Sequence, residues 1–200
     1  MLSEEKLNFN FLTWIKKLQH YNCYSEEMIN EIGDKLKLAT FSTFSDTGAA
    51  YHGSMIDIVL YRLCKTACLI NEFGLDKNPN LKVNTNMLMR VLLLQHISKC
   101  ELFVPQENQW KIKNGYLFDY NNNLTTKLKC GERSVYMCMK YGIKLTEEEY
   151  EAMTVIDKIE DRGECFLTPL SIIVKFSNQL TMVDLRLENN KTKIKETIEE

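Results

Sequence analysis

The chain has 200 residues, 44% of them hydrophobic and 10% aromatic, which is enough for one well-buried core and too little for two. A formal net charge of −2 and a pI near 6.0 leave no global basic field, which argues against nucleic acid as the main partner. No apolar run approaches the roughly 18 residues of a membrane span, Met1 to Asn10 is too polar for a secretory leader, and seven cysteines without two matched close pairs fit free thiols; the expectation is a soluble protein of a reducing cytoplasm with no membrane contact.

Leu7, Phe11, Trp14, Ile15 and Leu18 fall on one stripe and predict a helix over about 4–20 that packs on the core. Ser25, followed by Glu26 and Glu27, caps a second helix over about 26–38, with Ile29, Ile32, Leu36 and Leu38 at helical spacing. Residues 41–53 read as a loop leading Tyr51-His52-Gly53 into an apolar helix over about 54–73. Cys64 and Cys68 lie one turn apart there; without a second pair they read as buried or partly buried free thiols rather than zinc ligands.

Asn78-Pro79-Asn80 marks a turn, Asn84 or Asn86 caps the next helix, and Met87 to Lys99 is apolar nearly all round, which predicts a central helix. The period then changes. Trp110, Lys111, Ile112 and Lys113 alternate, Asn114-Gly115 turns, and Tyr116, Phe118 and Tyr120 continue, which predicts a β-hairpin with a third short strand at Thr125 to Lys129. Rings and lysines mixed in this way can stack bases and track phosphates, although alternating burial explains them more simply. Helices follow over about 131–141, 147–160 with Thr146 as cap, and 168–187. Glu147, Glu148 and Glu149 read as solvated acids of a first turn. No phosphate-binding P-loop, dinucleotide fingerprint or nucleophile elbow is present.

Five segments carry a family signature: Tyr51-His52-Gly53-Ser54-Met55-Ile56-Asp57-Ile58, Leu93-Leu94-Gln95-His96-Ile97-Ser98-Lys99, Cys130-Gly131-Glu132-Arg133-Ser134, Leu145 to Glu149, and Pro169 to Asn178. In this order the chain resembles the HD-domain metal-dependent phosphohydrolases, of the kind encoded by bacteria and phages, over roughly residues 48–185. The resemblance implies a mostly α-helical, HD-like bundle with a small β-hairpin: an N-terminal helical segment over 1–47 packed on the core, an HD-like domain over 48–187 and a charged tail over 188–200. It also implies a host cytoplasm, or a virion if the chain is phage-encoded.

The chemistry departs from that family. Gln95-His96 stands where the family has His-Asp, and Asp57, Ile58, Cys130, Ile156, Lys175 and Asn178 replace its Glu, three metal-binding His, a further His and an Asp. A metal that acidifies water needs imidazoles and carboxylates as donors, whereas isoleucine has no lone pair and amide oxygens are neutral. The chain holds three histidines, His20, His52 and His96, so the set cannot be rebuilt from elsewhere.

The expectation is therefore a catalytically inactive relative, with no metal and no cofactor, that binds a nucleotide or another phosphate-bearing small molecule through His52, Gln95, His96, Lys99, Arg133 and Asn178. The alternatives are a filled cleft on a structural or protein-interaction module, with a protein partner or a second copy as ligand, and a metal-free hydrolase using His96 or His52 as general base.

Overall fold

The computed structural model describes residues 2–75, 77, 83–157 and 167–199, with side chains through Asn190; the expected turn at 78–80, the end of the 147–160 helix and Cys165 lie outside them. The protein is mostly helical, with one two-stranded antiparallel sheet. No described helix is long and apolar enough to cross a membrane.

Local chemistry sets the helix starts. Ser3 Oγ accepts from the Lys6 amide at the head of α1 (Glu4–His20), and Ser25 Oγ accepts from the Met28 amide at the head of α2 (Glu26–Leu38). Gly53, at φ 82°, precedes α3 (Ser54–Phe73); a Cβ there would lie 2.0 Å from Leu7 Cδ2, so glycine is needed for α1 to cross so closely. Asn84 caps α4 (Thr85–Leu94), receiving the Asn86 and Met87 amides.

Here the expected helix from Met87 to Lys99 ends early, and the cause is visible. The carbonyls of Leu92, Leu93 and Gln95 take side-chain donors from Arg62, Trp14 and Ser134. The amides of Ile97 and Lys99 fall back on carbonyls three residues behind, at 3.2 and 3.0 Å, and the chain tightens before resuming as α5 (Lys99–Leu102).

The sheet corrects another expectation. Its strands are β1 (Phe103–Pro105) and β2 (Phe118–Tyr120), paired Phe103 to Tyr120 and Pro105 to Phe118, and between them runs a short helix, α6 (Gln109–Lys113). Asn108 Oδ1 captures the amides of Trp110 and Lys111, which turns the apparent alternation into one helical turn and leaves Trp110 70% exposed. Residues 125–129 form no strand.

α7 (Cys130–Lys140) and α8 (Glu147–Thr154) lie against each other so closely that a Cβ on Gly131 would approach Met153 O to 2.3 Å. A 3-10 turn, Val155–Asp157, ends α8, and α9 (Pro169–Glu199) closes the fold, its backbone helical through most of the expected tail. One core joins Trp14 and Leu18 of α1, Met28 and Leu36 of α2, and the leucines of α4 to residues from α3, α7, α8 and α9. α4 is central, as its composition predicts: Leu88, Val91, Leu92 and Leu94 are wholly buried.

Glu149 overturns its reading as a solvated acid. It caps its helix with Thr146 as expected, yet it is buried and its Oε1 lies 2.6 Å from Arg90 Nε. Cys64 and Cys68 are exposed rather than buried, because they lie on the outer side of α3, and the six described cysteines are free thiols.

Candidate functional site

The break after α4 places Gln95 and His96 in the protein interior, facing α3 and α9. Between them sits a residue the sequence reading passed over. Arg62, on the buried stripe of α3, is 1% exposed. The two hydrogens of its Nη1 are shared among Gln95 Oε1 at 3.2 Å, His96 Nε2 at 2.9 Å and Asn178 Oδ1, and its Nη2 donates to Leu92 O at 2.7 Å. Asn178 Nδ2 returns a bond to Gln95 Oε1 at 3.0 Å, and Gln95 Nε2 is anchored on Ala152 O. A guanidinium thus occupies the centre of the group that the resemblance assigns to a metal.

These residues do not fit a divalent ion. Their lone pairs point at a fixed cation, Ile58 is buried in a separate apolar cluster with Phe41 and Ala49, and the described residues hold no group of three His, Cys, Asp or Glu side chains able to grip a metal. Because Arg62 donates to His96 Nε2, a neutral His96 carries its proton on Nδ1, which lies 3.7 Å from Cys130 Sγ. Burial, with the charges of Arg62 and Lys99, holds the His96 pKa well below its ordinary value. A histidine in that tautomer is a poor general base toward anything on the Cys130 side.

The electrostatics are one-sided. Burial pushes the Arg62 guanidinium down to about 9, so it stays charged at neutral pH, yet every partner it has is neutral and its Nε has none. Burial also raises the Cys130 thiol above its ordinary value, against the pull of Lys99. Lys99 Nζ donates to Phe41 O and lies 3.6 Å from the centroid of the Phe41 ring; burial, reinforced by Arg62, pushes it down to about 8.

Outside this core lie two neighbouring open pockets, of about 580 and 590 Å³, whose walls share His96, Lys99 and Ile156 and which together form the cleft face of the protein. Ile156 therefore lines the cleft and does not plug it. Among the described residues, the basic side chains along it are Lys99, Lys127, Lys129, Lys175 and Arg186, and the acid is Asp157, whose Oδ2 accepts the Glu132 amide at the head of α7.

Of the candidate ligand-binding residues, the fold brings together Gln95, His96, Lys99 and Asn178. Arg133 goes elsewhere: it is buried, bound to Glu101 Oε2 at 3.2 Å and to Thr126 O at 2.7 Å, and so fastens the 121–129 loop. His52 packs its ring edge-on to Phe118, 5.1 Å between centroids, and does not line the cleft. Asp57 is held by Tyr51 and Asn10. The signal for Arg62 was present, since an arginine four residues after Ile58 on an apolar helix must either snorkel or find buried acceptors.

The chain matches no protein-family model, no curated protein and no solved structure.

Proposed function

We propose that this protein is a non-hydrolysing, HD-like receptor for a nucleotide or another phosphate-bearing small molecule, held in the cleft beside Lys99. One observation carries the reading: a buried guanidinium, with neutral partners only, backs a cleft where five basic side chains meet one carboxylate among the described residues. A charge kept in a poorly polarisable interior without a counter-ion is costly, and a bound anion relieves that cost. The absence of hydrolysis in this reading follows from the donor set, which is neutral and already engaged by Arg62.

The test is thermal unfolding of the full chain against a panel of nucleoside mono-, di- and triphosphates. Ligand at about 100 times its Kd stabilises by roughly 2.7 kcal/mol, a rise in Tm of roughly 5–10 °C for a chain of this size. Lys99→Ala with Arg186→Ala abolishes the rise. The effect also depends on pH. Lys99 carries its charge below about 8, so the ligand-induced rise shrinks between pH 7 and 9 and persists in Lys99→Arg. The unliganded fold behaves oppositely: with a folded pKa below the unfolded 10.5, this lysine's contribution to stability increases from pH 8 to 10.5. A panel without any shift would sink the reading.

A second reading, a protein-interaction module, is favoured by α9. Ile172, Phe176, Val183 and Leu187 are each more than half exposed and line its outer face at helical spacing. On this reading, light scattering finds a species above the 23.4 kDa chain mass that Phe176→Asp with Leu187→Asp returns to monomer. A monomer at every concentration counts against it.

A further inference from the structure

Along the outer side of α9 the charges keep to the flanks. From Ile172 to Leu187 the ionisable residues are Lys175, Asp184 and Arg186. Asp184 is turned to α3, where it accepts from Tyr61 Oη at 3.0 Å and lies 3.6 Å from Lys65 Nζ, while Lys175 and Arg186 line the cleft. The stripe between these flanks, Ile172, Phe176, Val183 and Leu187, carries no charge, and each of its side chains is more than half exposed. At 3.6 residues per turn the four fall within about 60° of arc and span about 22 Å along the helix axis.

Their spacing is symmetric. Steps of four, seven and four residues separate them, so the stripe reads the same from either end about a midpoint between Gln179 and Leu180. A closed two-fold interface sets one patch against itself, and a stripe with this spacing meets that condition. Turned end for end about the midpoint, a second α9 brings Ile172 level with Leu187 and Phe176 level with Val183, each pair occurring twice. Every apolar side chain then has an apolar partner, and the largest meets the smallest.

We infer that a second copy of this chain covers the stripe, α9 packing antiparallel on α9 about a two-fold axis at Gln179 and Leu180. This rests on the interaction-module reading of α9 above and names its partner. Gln179, exposed at the midpoint, stands beside its counterpart, where two carboxamides can each donate and accept. Gln179 and Val183 also border the cleft, so the second copy lies along its mouth. One helix face per chain is less than the roughly 20–30 residues a side of a standard interface, so the dimer is weak and exchanges with monomer.

Sedimentation of the full chain is expected to show a monomer-dimer equilibrium with a Kd on the order of 10 μM. Phe176→Asp weakens it about a hundredfold, because the two-fold axis repeats the lost contact. Orientation is read by disulfide trapping in a Cys64→Ser, Cys68→Ser background, which removes the two exposed thiols. Chains carrying Ile172→Cys and chains carrying Leu187→Cys, mixed and oxidised, join to each other and not each to its own kind. Self-joined Ile172→Cys dimers mean a parallel pair; they overturn the inference and leave the interaction-module reading standing. A dimer indifferent to Phe176→Asp overturns both, since the contact then lies off α9. So does a chain that stays monomeric, which pelleting with phosphatidylcholine vesicles would then assign to a lipid surface.

Discussion

Arg62→Ala is expected to lower folding stability by roughly 3–5 kcal/mol, from lost hydrogen bonds and the cavity left behind, and to lower Tm by about 10 °C. The guanidinium supplies donors to three side chains on two other elements and to Leu92 O. Without it Gln95 keeps its bond from Asn178, but His96 Nε2 is stranded in the interior and Asn178 Oδ1, at the cleft wall, loses its donor. One term works in the other direction, because alanine also removes a buried charge whose partners are all neutral. Arg62→Met separates the two: it fills most of the volume, carries no charge, and should cost less than half as much. Urea unfolding of both variants is the measurement. A loss below about 1 kcal/mol in Arg62→Ala would mean that the cost of desolvating the cation cancels its hydrogen bonds.

Glu149→Ala should be nearly as damaging, at about 3–5 kcal/mol, the typical cost of removing one partner of a buried ion pair. The carboxylate is 1% exposed and serves two elements at once: Oε1 accepts from Arg90 Nε at 2.6 Å, and Oε2 accepts the Thr146 amide at 2.9 Å. Arg90 spends its remaining donors on Asn22 O and Lys144 O, both at 2.7 Å, so the pair ties α4 to α8 and to the ends of α1 and α7. Removing Arg90 as well relieves the uncompensated charge. The double variant Arg90→Ala with Glu149→Ala should therefore lose less than the sum of the single losses, and additive losses in a denaturation cycle would contradict the coupling.

What could be read beforehand divides along the distance over which each feature is determined. Caps act within four residues, so Ser25, Asn84 and Thr146 announced their helices, and the all-round apolar character of α4 announced its central place. The early end of α4 could not be read that way, since the donors that intercept its carbonyls come from Trp14, Arg62 and Ser134, on three other helices. Trp110 to Lys113 failed for a different reason: four alternating residues satisfy a strand pattern and one helical turn equally well, and Asn108 decides between them.

That Gln95, His96, Lys99 and Asn178 come together in the fold was legible through their order along the chain, while their binding of a ligand is the proposal made above. Arg133 was misplaced because pairing with Glu101 uses the same fork that grips a phosphate. Glu149 looked solvated because a first helical turn favours acids whether or not a cation lies across the interface.

The engaged guanidinium also bears on what else this cluster of side chains could hold. Installing histidine and aspartate at positions 58, 95, 96 and 178 would not by itself yield a metalloenzyme, since an incoming dication would meet a resident positive charge at hydrogen-bonding distance from three of those positions. Any path toward hydrolysis has to begin with a deletion on α3 and survive the instability that deletion brings. The arginine thus bars a dication from this cluster, acting from a helix that supplies none of the side chains it holds.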